Sequence, residues 1–209
     1  MLALRDELTS RPFDDPGRWW PDQPGVVGGR DQVAGGTWCA TDVPTGVTAL
    51  VLNRPERRVA AEGAPSRGVL PLLGARRGRE WVEEVDLEGM ASFTLVLVTP
   101  DALTCWDFDG ADLTVTDQPP GTHLFTSGGA EDGRAERHLS SFRSAKVGQW
   151  VDLVRARPPA DDPAALVVRH EVEERVFATV FGQLIVAAPG RLDLSFSRRP
   201  WEGDWAQMP

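Results

Sequence analysis

Short apolar runs bounded by turn residues recur along the chain, and they predict strands. Val47 to Leu52 is rich in β-formers and stops at Asn53-Arg54-Pro55. Phe93 to Val98 and Leu103 to Phe108 flank Thr99-Pro100-Asp101-Ala102 and read as a hairpin. Asp109-Gly110 then turns the chain into Leu113 to Thr116. Val176 to Phe181 and Leu184 to Ala188 are two further runs, and Pro189-Gly190 turns into Leu192 to Phe196. Helical spacing lies between these groups. Arg79 to Leu87 places Trp81, Val82 and Val85 on one face, and Phe142 to Arg155 loosely does the same with Phe142, Ala145, Trp150 and Val154. Asp162-Pro163 supplies a cap and a first-turn proline for a short helix through Val168. Strands and helices come in groups without regular alternation. That order disfavours a doubly wound parallel sheet and predicts an α+β layer fold with antiparallel sheets.

The stretch up to about Asp42 looks different. Pro12, Pro16, Pro21 and Pro24 forbid long helices there. Gly28-Gly29 and Gly35-Gly36 bracket Arg30-Asp31 and suggest tight turns and close backbone packing. Trp19, Trp20 and Trp38 are too many large aromatics for a linker, so ordered loops folded onto a core are expected.

Composition narrows the class. A chain of 209 residues fits a single domain, 1–209, and buries enough surface to fold without metal or disulfide staples. Lys and Arg number 22 against 31 Asp and Glu, a net charge of −9, which argues against a nucleic-acid partner. No apolar run approaches the roughly 20 residues of a membrane span. Met1-Leu2-Ala3-Leu4 is followed by charge, so no secretory signal is read and a cytoplasmic protein is expected. Two cysteines, Cys39 and Cys105, exclude a disulfide framework and a four-cysteine zinc site. Each reads best as a small buried apolar residue. His123, His138 and His170 are scattered and read as structural or surface residues. The glycine pairs lack dinucleotide-loop spacing, and neither a phosphate-loop lysine, a zinc-protease helix nor a serine elbow is present. Neither a metal nor a cofactor is expected.

One cluster stands apart. Arg5-Asp6-Glu7, Arg11-Pro12, Gly29-Arg30-Asp31 and Gly35-Gly36-Thr37-Trp38 alternate charge with Gly, Pro and Trp. Glycine allows close backbone approach, and paired Arg and Asp tolerate partial burial. Such a place suits a polar ligand. The expectation is that Arg5, Asp6, Arg30 and Asp31 lie close together, partly buried, near Gly35-Gly36-Thr37.

These residues, in this order, resemble the transport and Golgi organisation 2 family, also called the NRDE family. The resemblance runs through Leu4-Arg5-Asp6-Glu7, Ser10-Arg11-Pro12, Trp19 or Trp20, Gly29-Arg30-Asp31, Gly35-Gly36-Thr37-Trp38 and Leu52-Asn53-Arg54. Ser66-Arg67-Gly68 and Pro120-Gly121-Thr122 resemble later family segments. It is strongest over residues 1–70 and fades after Thr122. It implies an N-terminal nucleophile hydrolase-like fold, a four-layer αββα sandwich of two mainly antiparallel sheets. It marks Arg5, Asp6, Glu7, Arg11, Arg30, Asp31, Gly36, Thr37 and Asn53 as candidate ligand-binding residues. Lipid-like, acyl or haem-type small molecules are the implied ligands.

The chain departs from the family pattern where the chemistry would sit. Leu4 stands for the motif asparagine, and Leu2 stands where family members carry cysteine. In that superfamily the first residue is the nucleophile and its α-amino group the base. Leu2-Ala3-Leu4 reads as the last part of an apolar strand ending at Arg5-Asp6, so the family's first strand is expected to be missing. Three functions stay open: a small-amphipathic-ligand binding protein without a nucleophile is the first, and a cysteine amidohydrolase whose start lies upstream is the second. A plain interaction module is the third.

Overall fold

The computed structural model describes residues 1–54, 60–128, 133–188 and 191–208. The chain forms two compact units, Phe13–Pro120, and Met1–Pro12 together with Gly121–Pro209. Its first strand, β1 (Leu2–Leu8), therefore belongs with the C-terminal half of the sequence.

The Phe13–Pro120 unit is an antiparallel meander. Its strands are β2 (Phe13–Gly17), β3 (Val26–Asp31), β4 (Cys39–Asp42), β5 (Val47–Asn53), β6 (Phe93–Val98), β7 (Leu103–Phe108) and β8 (Leu113–Gln118), adjacent in chain order. The last four match the sequence expectation closely, because apolar alternation and turn residues agree there. Ala49, Phe93, Leu95, Leu97, Trp106 and Phe108 make one apolar face of the sheet. Trp81 is fully buried against that face, edge-on to Trp106 at 5.8 Å and to Phe93 at 6.2 Å between ring centroids. Truncating such a residue costs about 3–5 kcal/mol.

A helix the sequence did not announce, α1 (Leu70–Arg77), covers the same face through Leu70 and Leu73. Pro71 and Gly74 hid it. Pro71 sits in the first turn, where its missing N–H is harmless. The helix expected over Arg79–Leu87 is instead a 3₁₀ segment, Gly78–Glu84. Gly78, at φ 58°, ends α1, and Val85 is extended, so only a short tight coil fits between them.

The stretch expected as loops holds three strands, β2, β3 and β4. Pro16 sits on the edge strand β2, where a missing ladder N–H is tolerated. Gly28-Gly29 do not turn; they lie inside β3. A Cβ at Gly29 would come within 2.4 Å of the Trp38 ring, so the glycine makes room for tryptophan.

The other unit is a second antiparallel sheet, from β9 (Arg169–Val172), β10 (Arg175–Ala188), β11 (Arg191–Ser197) and β12 (Ala206–Gln207). Its order is β1-β10-β11-β12, with β9 also on β10. The two runs expected over 176–181 and 184–188 form one 14-residue strand. Gly182 does not interrupt it, being paired on both sides, with Leu4 and with Ser197. The expected turn at Pro189-Gly190 lies outside the described residues. Glu173 and Glu174, at φ 48° and 64°, supply the left-handed turn joining β9 to β10.

Strand β1 does not end at Arg5-Asp6. It runs seven residues, and the register shifts between Arg5 and Asp6 as at a β-bulge. Charged side chains continue the strand because partners meet them. The helix expected over Phe142–Arg155 is two helices, α2 (Arg134–Ser144) and α3 (Trp150–Arg155). Ala145 is extended, at ψ 147°, and breaks the path. The helices remain joined through Phe142 and Trp150, packed edge-to-face at 5.6 Å, with the indole N–H donating to the Phe142 carbonyl. No helix forms from Asp162 to Val168. Asp162 Oδ1 accepts the Ala164 N–H at 2.9 Å and closes a turn, after which Val168 bridges to Ala160. Among the described residues no helix is long and apolar enough to cross a membrane.

Candidate functional site

The candidate residues fall into two groups, one in each unit. Arg5, Asp6 and Glu7 follow one another on β1. Arg5 is only 7% exposed, and its guanidinium lies 3.6 Å from Glu7 Oε2. Arg11 approaches the same oxygen at 3.8 Å. Glu7 Oε1 accepts the Leu8 N–H at 2.8 Å. Asp6 accepts a 2.6 Å hydrogen bond from the Thr179 hydroxyl on β10 and a 3.0 Å charged bond from Arg134 at the start of α2. Thr179 Oγ1 in turn accepts the Val168 N–H. Arg134 also donates to the Pro163 carbonyl. A strand and a helix thus meet on one carboxylate.

The second group gathers where β3 ends. Arg30 donates from Nε to Asp14 Oδ2 at 2.8 Å, and its Nη2 lies 2.7 Å from the same oxygen. Gln32 donates to Asp14 Oδ1 at 2.7 Å. The Arg30 guanidinium also sits over the Trp19 ring, 4.6 Å from its centroid, a cation–π geometry. Asp31 Oδ1 accepts the N–H groups of Val33 and Ala34 at 3.0 and 2.9 Å, which shapes the turn into Gly35. Trp20 donates its indole N–H to the Gly35 carbonyl and ties a neighbouring loop to the same turn. Arg30, Asp31, Gln32 and Gly35 line an open depression of about 440 Å³.

Gly36 and Thr37 carry this turn into the sheet. The Thr37 N–H donates to the Gly68 carbonyl, and its hydroxyl donates to Cys39 O at 2.9 Å. A Cβ at Gly36 would come 2.5 Å from the Gly68 carbonyl carbon, so only glycine fits. Asn53 is exposed at the end of β5.

Arg5 and Asp6 lie on β1 in one unit, Arg30 and Asp31 on β3 in the other. Asp6 takes Arg134, Arg30 takes Asp14, and Asp31 takes backbone amides. The sequence reading missed Asp14, Gln32, Thr179 and Arg134. Reading β2 and β3 as a hairpin would have found Asp14, which pairs with Arg30 in register. No local signal marks Thr179 or Arg134, which stand 173 and 128 residues from Asp6.

Neither cysteine is poised for chemistry. Cys39 is fully buried and Cys105 is 2% exposed. Burial, helped by the Asp107 charge, pushes the Cys105 thiol up to about 11. His138 is buried on α2 and bonds through Nε2 to the Ala164 carbonyl at 2.9 Å. Burial holds its pKa below the ordinary histidine value. His170 Nδ1 is hydrogen-bonded to Asp161 Oδ1. Among the described residues no cluster of three or more His, Cys, Asp or Glu is placed to hold a metal.

Two mainly antiparallel sheets with short helices make this an α+β protein whose charged first strand is tied to its last sheet. The family model for transport and Golgi organisation 2 matches residues 1–139, and the chain belongs to that family. No curated protein matches it.

Proposed function

We propose that this family member is a cytoplasmic protein that binds a small amphipathic ligand, with an anionic head and an acyl, lipid-like or haem-type body. Its two units would form one N-terminal nucleophile hydrolase-like domain over 1–209. The observation that carries the reading is Arg30. Asp14 fixes its orientation while its guanidinium lies over Trp19, at the rim of the depression. Trp19 remains 37% exposed, so an oriented cation and a partly exposed indole stand side by side. That pairing suits a molecule with one charged and one apolar part. The net charge of −9 favours a small ligand over a polyanion. Binding, not catalysis through either cysteine, fits two buried thiols of which one is pushed well above neutrality. Arg5, Asp6, Glu7 and Arg11 take part in this reading as the second polar cluster, and Gly36, Thr37 and Asn53 as the frame of the first.

The test is a tryptophan-fluorescence titration with oleate, oleyl alcohol and haemin. Oleate or haemin should bind and the uncharged alcohol should not. Arg30→Ala should weaken binding at least tenfold. Equal affinity in the variant would remove Arg30, and with it the reading.

A further inference from the structure

We propose a second ligand site in the Phe13–Pro120 unit: an oxyanion site anchored by Arg67, taking a carboxylate or a phosphate monoester. It stands independently of the Arg30 reading.

Arg67 precedes α1 in a short 3₁₀ turn and is half-buried. Its Nη1 donates to the Ser92 carbonyl at 2.8 Å. Among the described residues that is the only hydrogen bond of its guanidinium, and no carboxylate stands within ion-pair distance. A guanidinium carries five N–H donors, so four are left over. Burial lowers its pKa, the mark of a cation that has lost water without gaining a counter-ion.

The neighbours leave this charge uncompensated. The Arg54 backbone N–H reaches the same Ser92 oxygen, at 3.2 Å. The Arg54 side chain engages Thr94 Oγ1 at 2.9 Å and Asp107 Oδ1 at 3.1 Å, and Thr94 donates to that same Asp107 oxygen. The nearby carboxylate is thus met by Arg54. Asn53, one residue earlier, presents an exposed amide that makes no intramolecular hydrogen bond among the described residues. An unmatched cation stands here on a chain whose net charge is −9.

The base of Arg67 is rigid. Ser66 Oγ accepts the Gly68 N–H at 3.3 Å, and Gly68 O accepts the Thr37 N–H at 2.9 Å. The arginine is held at its backbone by Gly68 and at its tip by Ser92. Such a preorganised fork suits a planar or tetrahedral oxyanion, which it meets with two parallel bonds. A partly desolvated cation is costly until an anion joins it.

The experiment is a set of thermal melts in sodium phosphate, methyl phosphate and sodium acetate, each against chloride at matched ionic strength. At tenfold excess over Kd, the binding anion should raise the wild-type Tm by about 3 °C. Methyl phosphate active with acetate silent assigns a phosphate monoester; the reverse assigns a carboxylate. Arg67→Gln should abolish the rise, Arg67→Lys should keep part of it, and Arg30→Gln should keep all of it. If Arg67→Gln does not fold, Arg67→Lys serves instead: it keeps the charge but not the two-pronged fork, and should keep only part of the rise. No anion-specific rise in the wild type, or a full rise in whichever Arg67 variant folds, would mean that Arg67 is only a brace for Ser92. Failure of oleate or haemin binding leaves this result untouched.

Discussion

Asp6 and Arg134 stand 128 residues apart in sequence and 3.0 Å apart in space. Each side chain is less than a fifth exposed, and the Thr179 hydroxyl occupies the second Asp6 oxygen. This contact ties β1 to the start of α2, and it is the clearest energetic role found for a residue of the charged N-terminal motif.

Removing either partner strands a mostly buried charge. Asp6→Ala should cost about 2–3 kcal/mol in a urea melt, since orphaned buried polar groups typically cost 1–3 kcal/mol, and more when charged. The Asp6→Ala/Arg134→Ala double variant should lose at least about 1 kcal/mol less than the sum of the singles. Strict additivity would mean that the pair contributes nothing.

The cysteines should be silent to thiol reagents in the folded protein. At pH 8 the Cys105 thiol, pushed up to about 11, is protonated and buried. Ellman's reagent should react with neither cysteine until denaturant is added. The linkage has a definite sign. A thiol whose folded pKa is raised contributes its full stability below the unfolded pKa, near 8.5–9, and loses it as pH rises through about 11. Cys105→Ala should flatten that alkaline part of the stability profile.

His138 predicts the opposite slope. Its folded pKa is lowered, so the unfolded chain takes the proton first. Stability from this group is complete above the ordinary histidine pKa, near 6.5, and falls as pH drops below it. His138→Gln should remove the part of the acid loss that begins near pH 6.5 while leaving the carboxylate-driven loss near pH 4. Chemical denaturation at stepped pH values measures both. An unchanged profile would place the acid sensitivity elsewhere.

Gly36→Ala is a small change with a large expected cost. The added methyl would meet the Gly68 backbone, which has no side-chain freedom with which to yield. Overpacking of this kind costs about 1–3 kcal/mol. The melt should shift by several degrees, and hydrogen exchange at the Thr37 amide, which bonds to Gly68 O, should quicken. Gly35→Ala offers a contrast: nothing lies within 4 Å of a Cβ there, and only its φ of 73° opposes substitution.

How much of this was legible follows from which signals are local. β6, β7 and their turn were read to the residue, because Phe93 to Val98 and Leu103 to Phe108 carry dense β-formers around a proline turn. β3 was not, because Gly28-Gly29 spell a turn by propensity and a strand only once Trp38 is known to lie against them. α1 was hidden by Pro71 and Gly74, each harmless at its actual position. The site shows the same division. Arg5, Asp6, Arg30 and Asp31 stood out by their alternation with glycine and proline. Their partners did not: Asp14 needed a hairpin that prolines obscured, while Arg134 and Thr179 are joined to Asp6 only by the folded topology.

That topology also sets a timetable. β1 pairs with β10, Leu2 opposite Leu184, so a strand made before the meander waits for one made after it. At ordinary synthesis rates of about 5–20 residues per second, the gap is roughly ten to forty seconds. The contiguous Phe13–Pro120 meander pairs each strand with its immediate successor, and it is complete well before the partner of β1 emerges. For that interval Leu2 to Leu8 is a nascent strand with open backbone edges and apolar residues at one end. Arg5, Asp6 and Glu7 are then what keeps a waiting segment in solution, before any of them finds the partner it holds in the finished protein.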